Sequence, residues 1–400
     1  MPGLVLGRVP SSPVDAASWT TEPEGCDRTP VRLLVLVPMA LAGQGLLAPT
    51  ATAAEVEEPS ALPLGLPAGG FASPRDNPST PEKIALGRLL YFDSRLSADD
   101  TIACSSCHLP AKAFTDNLPA AVGIDGSVGT RSAPTVINRG SASEQFWDGR
   151  AASLEEQAKG PLVNPIEMGM PSLEAVTKKV AAIAGYREFF DEVFGRPVHI
   201  DDIARAIAAF ERTVVSGNSR FDRYEAGKRD ALTEAELRGL AIFRSKGRCS
   251  QCHSGWNLSD EKYHNTGVGW DQAMVDVGRF SVTGREEDMG AVRTPTLREI
   301  SRTAPYMKDG RFDTLEQVVD YYDEGVIWNP FLDVELTRKT RTLEQTLEMY
   351  SGEGEPGPAP KAEVQDLELT DQEKRDLVAF LKTLDGEGWR EIRAPSEFPR

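Results

Sequence analysis

Apolar side chains recur at three- and four-residue spacing along most of the chain, a period that predicts helices. The clearest run is Ile203, Ile207, Phe210 and Val214, which predicts a helix over 201–215 with Asp201 as its N-cap. The same pattern predicts helices over 81–91, 153–160, 172–194 and 233–245. Thr370 and Glu373 form a capping box for a last helix carrying Leu377, Phe380, Leu381 and Leu384. No region is rich in strand patterns, so the expected fold is mostly α-helical. Glycine-rich 117–130 reads as loop, and 352–366, rich in Gly, Pro and Glu, reads as a mobile loop. Ser216-Gly217-Asn218-Ser219 breaks the helical pattern and places a domain boundary near 218.

The first 54 residues follow a different pattern. Arg32 precedes an apolar run from Leu33 to Leu47, which ends in Ala51-Thr52-Ala53-Ala54. This is the organisation of a secretory signal, with cleavage after Ala53 or Ala54 and export to the periplasm. Pro38, Gly43 and Gly45 interrupt the run, which is too short to predict a membrane span. The polar residues ahead of it are unusual for a signal and suggest initiation near Val31, which N-terminal sequencing of the precursor tests. A flexible lead-in is expected over 55–78, then an N-terminal domain over 79–218 and a C-terminal domain over 219–395.

The chain has 400 residues and a net charge of −17, and residues 1–54 carry only three basic and four acidic groups, so their removal leaves it acidic. That balance disfavours nucleic acid and suits a soluble protein with basic partners. Four of the five cysteines fall in two short motifs, Cys104-Ser105-Ser106-Cys107-His108 and Cys249-Ser250-Gln251-Cys252-His253. The fifth, Cys26, lies in the expected leader, so no pair is left for a structural disulfide. Cys-x-x-Cys-His is the attachment signature of haem c: two thiols bond the macrocycle and the adjacent histidine reaches the iron. A lone Cys-x-x-Cys more often marks zinc or a redox pair. Two copies, each followed at once by histidine, favour two covalently bound haem groups.

The copies belong to a longer repeat. Arg131-Ser132-Ala133-Pro134-Thr135 matches Arg293-Thr294-Pro295-Thr296, and Phe146-Trp147-Asp148-Gly149-Arg150 matches Met307-Lys308-Asp309-Gly310-Arg311. Capping boxes follow in the same register, Ser153 with Glu156 and Thr314 with Gln317. Two tandem cytochrome c-like domains related by an internal duplication explain this pattern, and Arg131 and Arg293 become candidate haem-binding residues. Twelve residues past Gly149 lies Pro161, and twelve past Gly310 lies Tyr322. Proline cannot ligate iron, whereas tyrosine can. If this position overhangs both haems, Tyr322 closes the second and the first stays open. Met307 is the competing ligand, and two core-facing tyrosines are the bland alternative.

Only four histidines exist; His108 and His253 are the proximal candidates. His199 reads as a cap or surface residue, His264 as a satisfied core residue or one near a haem edge, and the 117–130 loop offers no imidazole. An open site that handles peroxide needs a group that accepts and returns a proton. Glu167, among apolar residues in Asn164-Pro165-Ile166-Glu167-Met168, is that candidate, since burial would raise its pKa. Gln157 precedes Pro161 by one helical turn and shares its face. Trp147 is a candidate relay between the haems, or simply packing.

These residues together resemble the bacterial dihaem cytochrome c peroxidase and MauG superfamily. The resemblance rests on both Cys-x-x-Cys-His motifs, Ala113-Phe114-Thr115-Asp116, Gln145-Phe146-Trp147-Asp148-Gly149-Arg150, Asn164-Pro165-Ile166-Glu167-Met168 and Pro305-Tyr306-Met307-Lys308-Asp309-Gly310, spanning 79–330 and the last helix. Tyr322 falls where the peroxidases proper carry methionine, which is a mark of the MauG-like branch. The resemblance implies a five-coordinate, peroxide-reactive haem at His108 and a six-coordinate His253/Tyr322 haem. It also implies Trp147 between them and Gln157, Pro161 and Glu167 over the open iron. There are two departures. Gly247 stands where that branch has a tryptophan that draws electrons from its protein substrate. Ser132 stands where the inter-haem calcium has an asparagine, leaving Ser132, Thr303 and Pro305 as candidate calcium ligands.

The leading reading is therefore an enzyme that reduces hydrogen peroxide with electrons from a small cytochrome c or another periplasmic donor. A variant turns the same oxidising power on a partner protein. A different class, a dihaem electron carrier without catalysis, requires both irons six-coordinate, which Pro161 and the scarcity of histidine oppose. Monomer and homodimer are both compatible with the sequence.

Overall fold

Thr80 and Pro81 start the first helix: the Thr80 side chain accepts from the Lys83 N–H at 3.3 Å, and proline occupies the first position, where no N–H is needed. The computed structural model describes residues 62–337 and 366–400. The expected leader over 1–54, Cys26, and all but the last residue of the 352–366 loop lie outside the described residues. The helices are α1 (Pro81–Phe92), α2 (Cys104–Cys107), α3 (Leu154–Val163), α4 (Leu173–Ala182), α5 (Ala184–Phe194), α6 (Ile200–Glu211), α7 (Arg220–Glu225), α8 (Glu234–Arg244), α9 (Phe280–Thr283), α10 (Leu315–Asp323) and α11 (Asp371–Leu381). Strand among the described residues is limited to one antiparallel pair, β1 (Tyr263–His264) with β2 (Val292–Arg293). The fold is mostly helical. No helix among the described residues is long and apolar enough to cross a membrane.

Several sequence expectations shift in detail. The 172–194 pattern is two helices, because Ile183 is extended and the Gly185 N–H donates to the Arg400 carbonyl at 2.8 Å. His199, not Asp201, caps α6: its Nδ1 accepts from the Asp201 N–H at 3.3 Å. Asp201 instead sits in the first turn, where negative charge favours the helix dipole. Ser153 caps α3, but Glu156 pairs with Lys159 at 2.6 Å instead of closing the box. The boxes at Thr314/Gln317 and Thr370/Glu373 close fully. The lead-in is anchored from Leu62 onward, contrary to the flexible segment expected over 55–78. Asn77 is buried and donates to Glu155 at 2.6 Å, and the Leu64 carbonyl accepts from Asn218 at 2.6 Å.

Two helix crossings organise the cores. A Cβ at Gly87 would lie 1.8 Å from the Ala206 carbonyl oxygen, and one at Gly239 would lie 1.9 Å from that of Asp376. Only glycine lets α1 approach α6, and α8 approach α11, so closely. Phe210 and Phe380 pack at the two crossings in the same way. One apolar cluster gathers Leu86, Leu90, Tyr91, Ile203, Ile207 and Phe210, and the other gathers Leu240, Phe243, Leu377 and Phe380. The segment expected to be a boundary is buried: Ser216 and Ser219 are inaccessible, and Gly217 pairs with Glu387. The tail then returns to the first cluster, which includes Trp389. Gly239→Ala is expected to destabilise the protein by about 1–3 kcal/mol or more, because the clash is with backbone. A lowered urea midpoint at unchanged slope checks this; an unchanged midpoint overturns it.

Candidate haem sites

In the first motif, a four-residue helix presents Cys104 and Cys107, and His108 follows as its C-cap. Ala113 and Phe114 both have positive φ, and this turn brings the Phe114 carbonyl 3.2 Å from His108 Nδ1. In the second motif Leu258, also at positive φ, sets its carbonyl 3.0 Å from His253 Nδ1. A carbonyl only accepts, so Nδ1 carries the proton and each Nε2 keeps its lone pair. Burial also lowers the pKa of both imidazoles, which keeps them neutral. Each histidine is thus prepared as an Nε2 ligand. Among the described residues the Cys, Cys and His donor atoms of neither motif form one metal-sized cluster, although Cys252 groups with Asp260 and His264.

A cleft of about 440 Å³ is lined by Phe146, Arg150, Pro161, Asn164 and Glu167 among others. Glu167 is half-buried, its Oε1 accepts from Asn164 at 2.9 Å, and its charge is felt by both Cys104 and Cys107. Burial raises its pKa, with Arg150 opposing. Pro161 sits inside α3 and offers the cleft no donor or ligand atom. Gln157 is half-buried one turn earlier and is not among the lining residues, where Glu156 stands instead. Arg150, 3.5 Å from the Phe146 ring centre and 3.0 Å from Asp148, received no role from the sequence. The signal was available, because it closes the Phe-Trp-Asp-Gly-Arg motif.

Tyr322 is half-buried on α10 with Tyr321 and the Cys249 and Cys252 thiols among its electrostatic neighbours, and desolvation pushes its phenol well up. Met307 lines a small cavity of about 70 Å³ with Trp147, Ser132, Arg293, Thr303 and Pro305. This cavity brings together the three candidate calcium ligands and the candidate relay. Trp147 Nε1 donates to the Ser132 carbonyl at 3.0 Å, and the Arg293 N–H donates to the Trp147 carbonyl at 2.8 Å. Asp116 lines the same cavity with a buried Oδ2 that has no partner, a donor set rich in oxygen as a hard cation prefers.

The paired arginines differ. Arg131 is taken up by protein carboxylates, Asp148 at 2.7 Å and Asp276 at 2.7 and 2.8 Å. Arg293 is buried with its Nε unpartnered, and burial together with Arg139 pushes it down to about 9. Arg139 and Arg293 share Glu261, so two buried guanidinium groups face one carboxylate. An anionic group such as a haem carboxylate fits beside them. His264 lies between Asp333 at 2.5 Å and Asp260 at 3.0 Å and beside Cys252 of the second motif, and Asp333, Cys252 and Asp260 push it up to about 11.

A mostly helical fold with two prepared Cys-x-x-Cys-His sites defines a dihaem protein, and residues 81–230 match the di-haem cytochrome c peroxidase family. The chain is 36% identical over 318 residues to methylamine utilization protein MauG of Methylorubrum extorquens, covering 78% of this chain and 81% of the relative. It is 42% identical over 246 residues to cytochrome c551 peroxidase of Nitrosomonas europaea, covering 61% of this chain and 73% of the relative. The crystal structure of a MauG-like protein associated with microbial copper homeostasis matches with a TM-score of 0.67 at 35% identity, over 84% of this chain and 97% of that one. The chain belongs to the dihaem cytochrome c peroxidase family, whose cofactor is haem, and is an oxidoreductase.

Proposed function

We propose that the protein reduces hydrogen peroxide at an open His108 site, with electrons relayed through a His253/Tyr322 site from a small cytochrome c or similar donor. The observation that carries this reading is the asymmetry of matched positions. Pro161 and Glu167 line one cleft, and the Glu167 charge reaches Cys104 and Cys107, while Tyr322 is half-buried with Cys249 and Cys252 as neighbours. When bound, haem c supplies the iron that holds peroxide and the electrons that cleave its O–O bond. Cys104, Cys107, Cys249 and Cys252 would attach it covalently, and His108 and His253 would ligate through Nε2. Glu167 accepts the peroxide proton and returns it to the departing oxygen, with Asn164 fixing its Oε1. Arg150 keeps a positive charge at the cleft wall. Trp147 spans the cavity between the sites, and Arg293 receives a haem carboxylate.

The two halves read as copies of one haem-binding unit, 79–218 and 219–395. Ser132, Thr303 and Pro305 would hold calcium between them. Covalent haem attachment at these motifs and the apolar sequence Leu33–Leu47 support a periplasmic location. A second reading, oxidation of a residue on a partner protein, is favoured by Tyr322 and by the identity to MauG, and opposed by Gly247. Electron paramagnetic resonance of the resting diferric protein tests the open site. One high-spin and one low-spin haem are expected; two low-spin haems overturn it.

A further inference from the structure

The matched helix crossings expose a difference on the other side of the first site. Gly87 meets Phe210 as Gly239 meets Phe380, so four residues on from each glycine Tyr91 corresponds to Phe243. The ring pairs agree: Tyr91–Phe210 centroids are 5.0 Å apart and Phe243–Phe380 centroids 5.1 Å, both tilted by 58°. One residue past Phe210 is Glu211, and one past Phe380 is Leu381. The first half thus places a carboxyl group where the second places a core leucine.

Glu211 is 5% exposed, and its Oε2 is buried with no partner. The groups that face it are Tyr91 on α1, Cys104 on α2, Glu155 on α3, its neighbour Arg212 and Arg139. None hydrogen-bonds its Oε2, and the Arg212 and Arg139 charges oppose the effect of burial only in part. Arg212 Nη2 is spent on Glu155 at 2.7 Å, while its buried Nε and Nη1 have no partner. Arg139 is committed to Glu261 at 2.9 Å. A buried carboxylate without a partner is costly, so this group holds its proton unless positive charge lies close by. Burial accordingly pushes it up to about 8. Tyr91 ties the region to the proximal histidine, donating to the His108 carbonyl at 3.1 Å.

We propose that Glu211 is a positioning residue that couples proton uptake to electron arrival at the first haem. The inference rests on haem being bound at Cys104–His108, but not on that haem being open. One electron from an external reductant enters the first haem, and one proton from solvent binds a Glu211 carboxylate oxygen. On reoxidation both leave. Leu381 offers no such group to the second haem.

The test is a spectroelectrochemical titration of the holoprotein with one-electron mediators over a pH range spanning the Glu211 transition. In the wild type the first haem's potential is expected to fall as pH rises, because the reduced form holds the extra proton. Glu211→Gln and Glu211→Leu abolish that dependence and leave the second haem's unchanged, whereas Glu167→Gln retains it. An undiminished dependence in Glu211→Gln, or its loss in Glu167→Gln instead, overturns the proposal. If the Glu211 variants fail to take up haem, the Glu167→Gln protein supplies the second measurement. Its reduced-minus-oxidised infrared spectrum should show a carboxylic acid band gained on reduction; no such band overturns the proposal. Peroxide reactivity and the resting spin states are measured separately, so failure of the open-site reading is distinguishable from failure of this one.

Discussion

Replacing Glu167 by glutamine is expected to slow the reaction with peroxide by roughly 10²–10⁴-fold, the range for loss of a positioned acid–base group. Glutamine keeps the shape and the hydrogen-bonding reach toward Asn164, so haem content and the resting spectrum should not change. The pH dependence follows from the same burial. The carboxyl pKa is raised by desolvation, with Arg150 limiting the rise. To accept a proton the group must be ionised, so the wild-type rate should climb with pH through a transition above the ordinary carboxylate range. Glu167→Gln should lose that transition. Stopped-flow mixing of the diferric protein with peroxide measures both, and an unchanged rate removes Glu167 from the chemistry.

Tyr322→Phe is expected to abolish the low-spin signal of the second haem outright. The phenol has Cys249 and Cys252 as neighbours, and desolvation there pushes its pKa far up. Losing its proton there requires the positive charge of a bound metal, which makes ligation and deprotonation one event. Phenylalanine preserves the packing against Tyr321, whose ring centre lies 5.5 Å away. Paramagnetic resonance of Tyr322→Phe and Met307→Leu separates the two ligand candidates. If the low-spin signal survives the first variant and disappears in the second, Met307 is the ligand and Tyr322 is packing.

The helices were legible because their determinants are local. Thr80, Thr233, Thr314 and Thr370 cap within three residues of themselves, and the apolar spacing of Ile203, Ile207 and Phe210 is complete within three turns. The misses were also local events with distant causes. The break at Ile183 goes with a bond to Arg400, and the order of residues 62–78 depends on Glu155 and Asn218. The cleft could be drawn in part: Pro161 and Glu167 were placed, while Arg150 was visible in a motif but carried no local sign of facing a cavity.

The two attachment motifs, their matched registers and the contrast of Pro161 with Tyr322 needed only the order of residues along the chain. Which atoms are left unpaired did not follow from that order. The His108 and His253 tautomers depend on carbonyls that left-handed turns swing back toward the rings. The convergence of Ser132, Thr303 and Pro305, the orphaned Arg293 Nε and the isolation of Glu211 depend on segments far apart in sequence. Glycines at two helix crossings bring the framework together, and burial then sets the charge each group can bear.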